Sequence, residues 1–168
     1  GDTLFLYGDF LYYDGNQRLV QVRENVRMEN RNVVLLTDSL DYDRVFDLGY
    51  YFDGGTLMDS TNVLTSEWGE YSPHTKLSVF NYNVKLENPQ FTMYSDTLIY
   101  NTVTRIANIV GPSDIESKDS HIYSEMGYYN TLEGKAYLLD RSVLMNQGKV
   151  LVGDSVFYVE RAKYGEAF

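Results

Sequence analysis

Two stretches of the sequence share one pattern and decide the fold class: Val33-Val34-Leu35-Leu36-Thr37-Asp38-Ser39-Leu40-Asp41-Tyr42-Asp43 and Phe91-Thr92-Met93-Tyr94-Ser95-Asp96-Thr97-Leu98-Ile99-Tyr100-Asn101. In each, the second and fourth residues after the central acid are apolar or aromatic, which is the period of two of a half-buried β-strand. The fixed apolar residue three positions before the acid has the opposite parity. These side chains share one face only if a β-bulge at the acid inserts one extra residue.

The acid, the tyrosine four positions later and the apolar residue three positions earlier recur together at one fixed interval (38 − 9 = 29, and likewise onward). The acid column is Asp9, Asp38, Glu67, Asp96, Glu125 and Asp154. The tyrosine column is Tyr13, Tyr42, Tyr71, Tyr100, Tyr129 and Tyr158. The apolar column is Leu6, Leu35, Leu64, Met93, Ile122 and Leu151. A fixed period between about 20 and 50 residues is the signature of a repeat protein, whose units bury their apolar faces by stacking.

The second half of each unit reads as a return strand. Its copies are Asn25-Val26-Arg27-Met28, Gly55-Thr56-Leu57-Met58, Asn83-Val84-Lys85-Leu86 and Ser142-Val143-Leu144-Met145, aligned with a one-residue slip in some units. We therefore predict an all-β fold without significant helix, in which about six 29-residue units stack their antiparallel strands as a repeat sandwich or flattened roll. The copies at Glu67 and Glu125 alternate with the Asp-Leu copies, which indicates a 58-residue superperiod.

The two polar columns have structural explanations. An acid that follows Ser, Thr or Gly can bond nearby backbone amides and shape the corner between strands. The tyrosines are expected to bury their rings and to keep their hydroxyls at the solvent-exposed edge of the core. Stacked on one another at the spacing of adjacent strands, they would form a ladder. Asp38, Asp41 and Asp43 could be imagined as calcium ligands, but the glycine and terminal glutamate of an EF-hand loop are missing. We expect no metal site.

Composition narrows the function classes. The net charge of −10 argues against a nucleic-acid partner. The chain has no cysteine and only two histidines, His74 and His121, and it contains none of the usual catalytic or phosphate-loop motifs. We therefore predict a protein that is not an enzyme and needs no cofactor. The sequence contains no run of 18 apolar residues, so it predicts no membrane-spanning helix.

The units Ser/Thr-Asp-x-Leu-x-Tyr-Asp/Asn, here Thr37 to Asp43 and Ser95 to Asn101, resemble the OstA-like family, which includes the LptA-type lipopolysaccharide transport proteins. The similarity extends over essentially the whole chain, and each motif is short, so its weight comes from repetition. The resemblance implies a periplasmic domain, over residues 1–168, built as an open β-jelly roll. Because the chain starts and stops within the pattern, we expect the domain to be excised from a longer protein.

The resemblance also implies a function. The apolar interior of such a domain would hold the acyl chains of lipopolysaccharide (lipid A) during export to the outer membrane. Proteins of this family associate end to end through their edge strands, so the resemblance implies the same kind of association here. We therefore expect as partners lipopolysaccharide, other β-jelly-roll transport components or a second copy of the chain. The candidate lining residues are the apolar column given above together with Leu11, Leu40, Leu98 and Val156. The same side chains could instead simply meet across a dry core.

Three other classes are compatible with parts of the pattern. A carbohydrate-binding or cell-surface adhesion module could use the 16 tyrosines and the single tryptophan to stack on sugar rings. A parallel β-helix could also repeat at this length, although the hairpin-like turn signals favour antiparallel pairing. The Tyr-Asp dipeptides are also similar to repeats of large bacterial toxins, which usually have more glycine and shorter units.

Overall fold

The chain forms only strands, turns and bends in the computed structural model, which describes residues 3–160 and 164–168. The strands are β1 (Leu4–Tyr7), β2 (Phe10–Asp14), β3 (Leu19–Asn30), β4 (Val33–Asp43), β5 (Leu48–Tyr51), β6 (Gly55–Asp59), β7 (Asn62–Ser66), β8 (Trp68–Tyr71), β9 (Leu77–Glu87), β10 (Phe91–Asn101), β11 (Ile106–Ile109), β12 (Ser113–Ser117), β13 (Ser120–Ser124), β14 (Met126–Asn130), β15 (Lys135–Asn146), β16 (Lys149–Val159) and β17 (Tyr164–Ala167). Within these ranges there is no helix, so the all-β prediction is confirmed.

Three long hairpins organise the strands and recur at the 58-residue superperiod. They are β3–β4, β9–β10 and β15–β16, whose first strands begin at Leu19, Leu77 and Lys135 (77 − 19 = 58 and 135 − 77 = 58). Between them the chain is broken into the shorter strands β5 to β8 and β11 to β14. This alternation of continuous and broken strands confirms the predicted superperiod.

Each long hairpin bends at a corner where its register shifts. In β9–β10 the ladder passes from the pair Ser95–Val84 to the pair Thr97–Asn81 and skips Asp96, which confirms the predicted bulge at the acid. The two residues opposite this acid, Tyr82 and Asn83, both have positive φ angles, of 67° and 50°. Left-handed residues within a strand bend it sharply. The corner therefore divides each long strand between two facing sheets.

The two sheets share the long strands. Sheet 1 runs in the order β2, β3, β4, β5, β8, β9, β10, β11, β14, β15, β16 and β17. Sheet 2 runs in the order β1, β3, β4, β6, β7, β9, β10, β12, β13, β15 and β16. All pairings in these described strands are antiparallel. The result is a roll that ends at β1 and β2 on one side and at β16 and β17 on the other.

Sheet 2 contributes one unbroken apolar row to the interior. Successive partners across the strands are Leu6, Met28, Leu35, Leu57, Leu64, Leu86, Met93, Ile115, Ile122, Leu144 and Leu151. Its return-strand members follow the 29-residue period without interruption, so the predicted one-residue slip is wrong. The slip arose because the outward-facing Met58 and Met145 resemble the inward-facing residue one position earlier.

Sheet 1 contributes a row in which tyrosines alternate with small residues. The partners are Tyr13, Val20, Tyr42, Gly49, Tyr71, Ser78, Tyr100, Ala107, Tyr129, Ala136, Tyr158 and Gly165. The predicted tyrosine ladder is therefore wrong, since a return strand separates consecutive tyrosines by two strand spacings, about 9.6 Å. The small residues leave room for the rings to extend across the interior.

The acid column runs along the outside of the corner. The side chains of Asp9 and Glu67 each accept a hydrogen bond from an asparagine on the neighbouring strand, Asn25 and Asn83 respectively. The backbone amides of the same two acids donate across the corner to the carbonyl oxygens of Glu24 and Tyr82. These acids thus shape the corner as expected, but they bond a facing asparagine side chain rather than nearby backbone amides.

Candidate functional site

Most of the candidate lining residues lie together in the core. Leu35, Leu64, Met93, Ile122, Leu40, Leu98 and Val156 are all buried. Leu6 and Leu151, which end the apolar row, are partly buried and pack against this core. Leu11 is different, because 60 % of its surface is exposed on the edge strand β2. The structure therefore brings the predicted residues onto one inner surface, whose middle is covered and whose ends are accessible.

Aromatic rings fill the middle of the roll. The ring of Tyr51 lies beside Gly55 and Gly69, where an added Cβ atom would approach it to 2.7 and 2.5 Å. These two glycines are required by that ring, since such distances are shorter than van der Waals contact allows. The Tyr51 hydroxyl shares a hydrogen bond of 2.5 Å with the Ser66 hydroxyl. In this closed arrangement the sheets meet through their own side chains.

The two ends of the roll retain accessible apolar surface. At the first end the inward positions of β2, Leu11 and Tyr13, are 60 % and 47 % exposed, because no further strand covers them among the described residues. At the other end a cavity of about 400 Å³ lies between β15, β16 and β17, with Leu144, Leu151 and Gly165 in its lining. Its volume lies in the range of roughly 300–1,000 Å³ that is usual for small-molecule sites.

The margin opposite the corner is closed by side-chain hydrogen bonds between the sheets. We call this margin the tyrosine seam, formed by Tyr71, Tyr100, Tyr129 and Tyr158 of sheet 1 and by Asn30, Asp59, Asn62 and Ser120 of sheet 2. At its centre the Tyr100 hydroxyl donates to Asp59 Oδ2 over 2.6 Å. The Asn62 amide donates to the Tyr100 hydroxyl and to Asp59 Oδ1, each over 3.1 Å. The buried Asp59 carboxylate is thus held by two donors.

The tyrosine seam has similar contacts on both sides of this centre. Tyr71 donates to Asn30 Oδ1 over 2.7 Å, and the Tyr158 hydroxyl lies 2.9 Å from the Ser120 hydroxyl. Tyr129 is the exception, because its buried hydroxyl has no hydrogen-bond partner within the described part of the chain. Its ring packs instead on Phe91, with the ring centroids 4.3 Å apart. The tyrosine seam therefore contains both satisfied and unsatisfied hydroxyls.

Sequence reasoning missed the sheet 2 half of the tyrosine seam. The available signal was a third polar column, since Asn30, Asp59 and Asn88 follow the same repeat interval (59 − 30 = 29 and 88 − 59 = 29). Read alone, these residues have the composition of turns, because each lies at or next to the end of a return strand. Only the packing of the two sheets against each other shows that these polar residues meet the tyrosine column.

Burial changes the acidity of the interior tyrosines. It raises the pKa of Tyr51 and of Tyr158 to about 12, from the ordinary value of 10.0. Burial also raises the pKa of Tyr100, and the hydrogen bond to Asp59 adds to the effect. Burial likewise raises the pKa of Tyr129. These phenols are neutral in the folded protein well above the pH at which they ionise in an unfolded chain.

We expect the protein to lose stability between about pH 10 and pH 12. A pKa raised by folding stabilises the native state fully below the unfolded value, and this contribution is lost as the pH rises towards the folded value. Each buried tyrosine should lower the free energy of unfolding by about 1.4 kcal/mol per pH unit in this window. Urea titrations at pH 8, 9, 10 and 11 would measure the change. A free energy that stays constant across this series would contradict the burial of the rings.

Other kinds of site are not found in the described structure. No group of three or more His, Cys, Asp or Glu side chains within residues 3–160 and 164–168 is arranged to hold a metal ion. In the same ranges no helix is long and apolar enough to cross a membrane. His121 forms a 2.8 Å contact with Asp114 on the outer face of sheet 2.

Two comparisons with known proteins found a match, one to a solved structure and one to a protein family. The chain resembles in structure LptH, the LptA homologous periplasmic component of the conserved lipopolysaccharide transport device from Pseudomonas aeruginosa, with a TM-score of 0.57 and 13 % sequence identity over 63 % of this chain and 80 % of that one. No curated protein shows significant similarity in sequence. A family model described as OstA-like protein matches residues 1–96, which is more than half of the 168 residues. The chain therefore belongs to the OstA-like protein family.

Proposed function

We propose that this protein is a non-enzymatic, periplasmic carrier domain that holds the acyl chains of lipopolysaccharide between its two sheets. The observation that carries the proposal is the unbroken apolar row of sheet 2, which extends from Leu6 at one end of the roll to Leu151 at the other. Burial of each acyl methylene contributes about 0.8 kcal/mol. A chain laid along this row would therefore be held strongly without any specific polar contact. The structural likeness to LptH supports this choice of lipid.

The closed interior requires the two sheets to move apart when a lipid is loaded. The corner cannot be the opening, because continuous backbone joins the sheets there through β3–β4, β9–β10 and β15–β16. The tyrosine seam is held only by side chains, and each of its hydrogen bonds contributes about 0.5–3 kcal/mol net. We therefore infer that the tyrosine seam separates. The leucines of the apolar row then contact acyl chains instead of one another.

The edge strands suggest how the domain meets its transport partners. β1 and β2 at one end and β16 and β17 at the other leave backbone donors and acceptors without a strand partner in the described structure. Exposed edges of this kind accept a further strand by β-augmentation. We propose end-to-end association with another β-jelly-roll component or with a second copy, which would join the interiors of successive domains.

A cysteine staple across the tyrosine seam tests this proposal, because the chain contains no native cysteine. The Asn62 and Thr131 side chains are 3.3 Å apart across this margin, so Asn62→Cys with Thr131→Cys can be joined by a short thiol cross-linker. Asp9→Cys with Asn25→Cys is the matched control, because these side chains are 2.7 Å apart at the corner. Binding would be followed by native mass spectrometry with purified lipid A.

We expect the wild-type protein and the corner-stapled control to bind lipid A. The seam-stapled variant should bind only after a cleavable linker is released. Wild-type protein that remains empty with added lipid A would refute the carrier function. A seam-stapled variant that binds as well as wild type would refute only the opening route, since the lipid would then reach the interior from an end.

A carbohydrate-binding or adhesion module is the second candidate function, and an aromatic strip on the outer face of sheet 1 favours it. Tyr128, Tyr137 and Phe157 are cross-strand neighbours with ring centroids 5.0 and 4.7 Å apart. Tyr128 and Tyr137 are also partly exposed. Aromatic side chains that keep solvent contact can pack against sugar rings. Strong binding on a glycan array, lost on Tyr137→Ala, would favour this function over lipid transport.

A further inference from the structure

Tyr129 differs from the other tyrosines of the seam, because its hydroxyl is buried without a hydrogen-bond partner among the described residues. Its exposed fraction is 0 %. We propose that, when the tyrosine seam opens, this hydroxyl donates a hydrogen bond to the carbonyl oxygen that joins an acyl chain to the headgroup of the bound lipid. The inference rests on the proposed function and adds to it the chemical group of the lipid that the seam recognises.

Partners of the other seam tyrosines come from two fixed positions, 41 and 38 residues earlier in the chain. The bonds over 41 residues join Tyr71 to Asn30 and Tyr100 to Asp59, and those over 38 residues join Tyr100 to Asn62 and Tyr158 to Ser120. For Tyr129 the corresponding residues are Asn88 and Phe91 (129 − 41 = 88 and 129 − 38 = 91).

Neither of these two residues bonds the Tyr129 hydroxyl in the described structure. Asn88 Oδ1 accepts the backbone amides of Gln90 and Phe91, over 2.9 and 3.0 Å, and so closes its own turn. Asn88 Nδ2 donates to Asn62 Oδ1 over 3.1 Å. Phe91 has no polar side-chain atom, and its ring packs on the Tyr129 ring. One candidate partner is therefore used elsewhere, and the other is apolar.

This arrangement favours a bond to a ligand at Tyr129 over the other seam tyrosines. Burying a hydroxyl without a partner is unfavourable, and the cost is recovered when the hydroxyl gains a bond. When the sheets separate, Tyr71, Tyr100 and Tyr158 each lose a hydrogen bond to sheet 2. Tyr129 loses none, so a bond from its hydroxyl to a lipid is a net gain.

The Tyr129 side chain lies where a bound lipid would change from apolar to polar. Its ring belongs to the buried core, whereas Leu132 and Glu133 in the turn that follows β14 are exposed. A lipid whose chains lie on the apolar row and whose headgroup stays outside the tyrosine seam crosses this margin at its acyl linkage. The linkage carbonyl is then the first polar group that the Tyr129 hydroxyl meets.

The charge near Tyr129 favours a neutral acceptor. Burial raises the pKa of Tyr129, and the Glu160 carboxylate adds to the effect. The phenol therefore stays protonated and can donate a hydrogen bond. The same carboxylate repels a phosphate or the carboxylate of a free fatty acid. An ester or amide carbonyl has no net charge and can accept from Tyr129 without this repulsion.

Tyr129→Phe tests the assignment, because it removes the hydroxyl and keeps the ring that packs on Phe91. Tyr158→Phe is the matched control, since it removes a hydroxyl of the same column that is already paired with Ser120. Each protein is titrated by native mass spectrometry with lipid A and with an analogue whose acyl carbonyls are replaced by methylene groups. The ratio of the two affinities isolates the carbonyl, because a change in the cost of opening the tyrosine seam alters both affinities equally.

We expect Tyr129→Phe to lower the affinity for lipid A about three- to tenfold relative to the analogue, because one net hydrogen bond contributes about that factor. Tyr158→Phe should keep the wild-type ratio. The infrared carbonyl band of bound, ¹³C-labelled lipid A should lie at lower frequency in wild type than in Tyr129→Phe. A wild-type ratio in Tyr129→Phe, an equal fall in the control, or the same carbonyl band in both proteins would overturn the assignment.

The wild-type titrations separate this assignment from the carrier function. If wild type binds neither lipid, the carrier function is refuted and the role of Tyr129 is refuted with it. If wild type binds both lipids and Tyr129→Phe keeps the wild-type ratio, the carrier function stands and only the role of Tyr129 is refuted.

Discussion

Replacing Leu40 by Ala is expected to lower the free energy of unfolding by about 3–4 kcal/mol, which is a large part of the stability of a domain of this size. Leu40 has no exposed surface and lies on β4, between Val22 of β3 and Tyr51 of β5. Removing its isobutyl group loses burial energy and also leaves a cavity, because flanking strands on both sides prevent the site from collapsing. Urea denaturation followed by circular dichroism would measure the change.

Leu11→Ala is the matched control for this substitution. Leu11 occupies the equivalent position of the preceding repeat unit (40 − 11 = 29), but β2 is an edge strand and leaves most of the Leu11 side chain exposed. We expect a loss of less than about 1 kcal/mol, since little apolar surface leaves water at this position on folding. Equal losses in the two variants would show that β2 is covered in solution, as it would be in an end-to-end assembly.

Replacing Tyr100 by Phe is expected to destabilise the protein by about 2–3 kcal/mol, because a hydrogen bond to a charged group contributes about 1.5–3 kcal/mol and leaving a buried charge poorly solvated adds to the loss. The substitution keeps the ring and removes the hydroxyl that donates to the Asp59 carboxylate. Asp59 is 1 % exposed and would keep Asn62 as its side-chain donor. Urea denaturation of both proteins at pH 7 would measure the difference.

Tyr129→Phe provides the comparison within the tyrosine seam. Tyr129 is equally buried and lies in the same column, but its hydroxyl has no hydrogen-bond partner in the described structure. Removing a buried hydroxyl that makes no bond relieves its desolvation cost, so we expect unchanged or slightly higher stability. A loss for Tyr129→Phe as large as that for Tyr100→Phe would mean that the hydrogen bond between Tyr100 and Asp59 is not the cause of the Tyr100→Phe loss.

The local pattern was sufficient to predict the strands and their bends. The parity change around Asp96 predicted a bulge, and the structure has one between Ser95 and Thr97. The apolar column predicted the inner surface, because period-two alternation fixes which side chains share a face once the bulge is placed. The tyrosine ladder failed because the distance between consecutive tyrosines depends on how many strands lie between them, which a single column does not show.

The partners across the tyrosine seam could not be predicted in the same way. Tyr71 meets Asn30 and Tyr100 meets Asp59, in both cases a residue 41 positions earlier in the chain. This spacing combines the 29-residue repeat with the relative shift of two twisted sheets, and the shift is a property of packing.

By itself the sequence determined the all-β class, the 29-residue period, the position of the corner along each long strand and the inward face of each strand. These features depend on side-chain alternation and on residues close in the chain. Only the tertiary structure decided which inward side chains remain accessible and which polar groups close the margin. Those features depend on contacts between the sheets and on which strands lie at the ends, and the order of residues within one strand does not specify such long-range geometry.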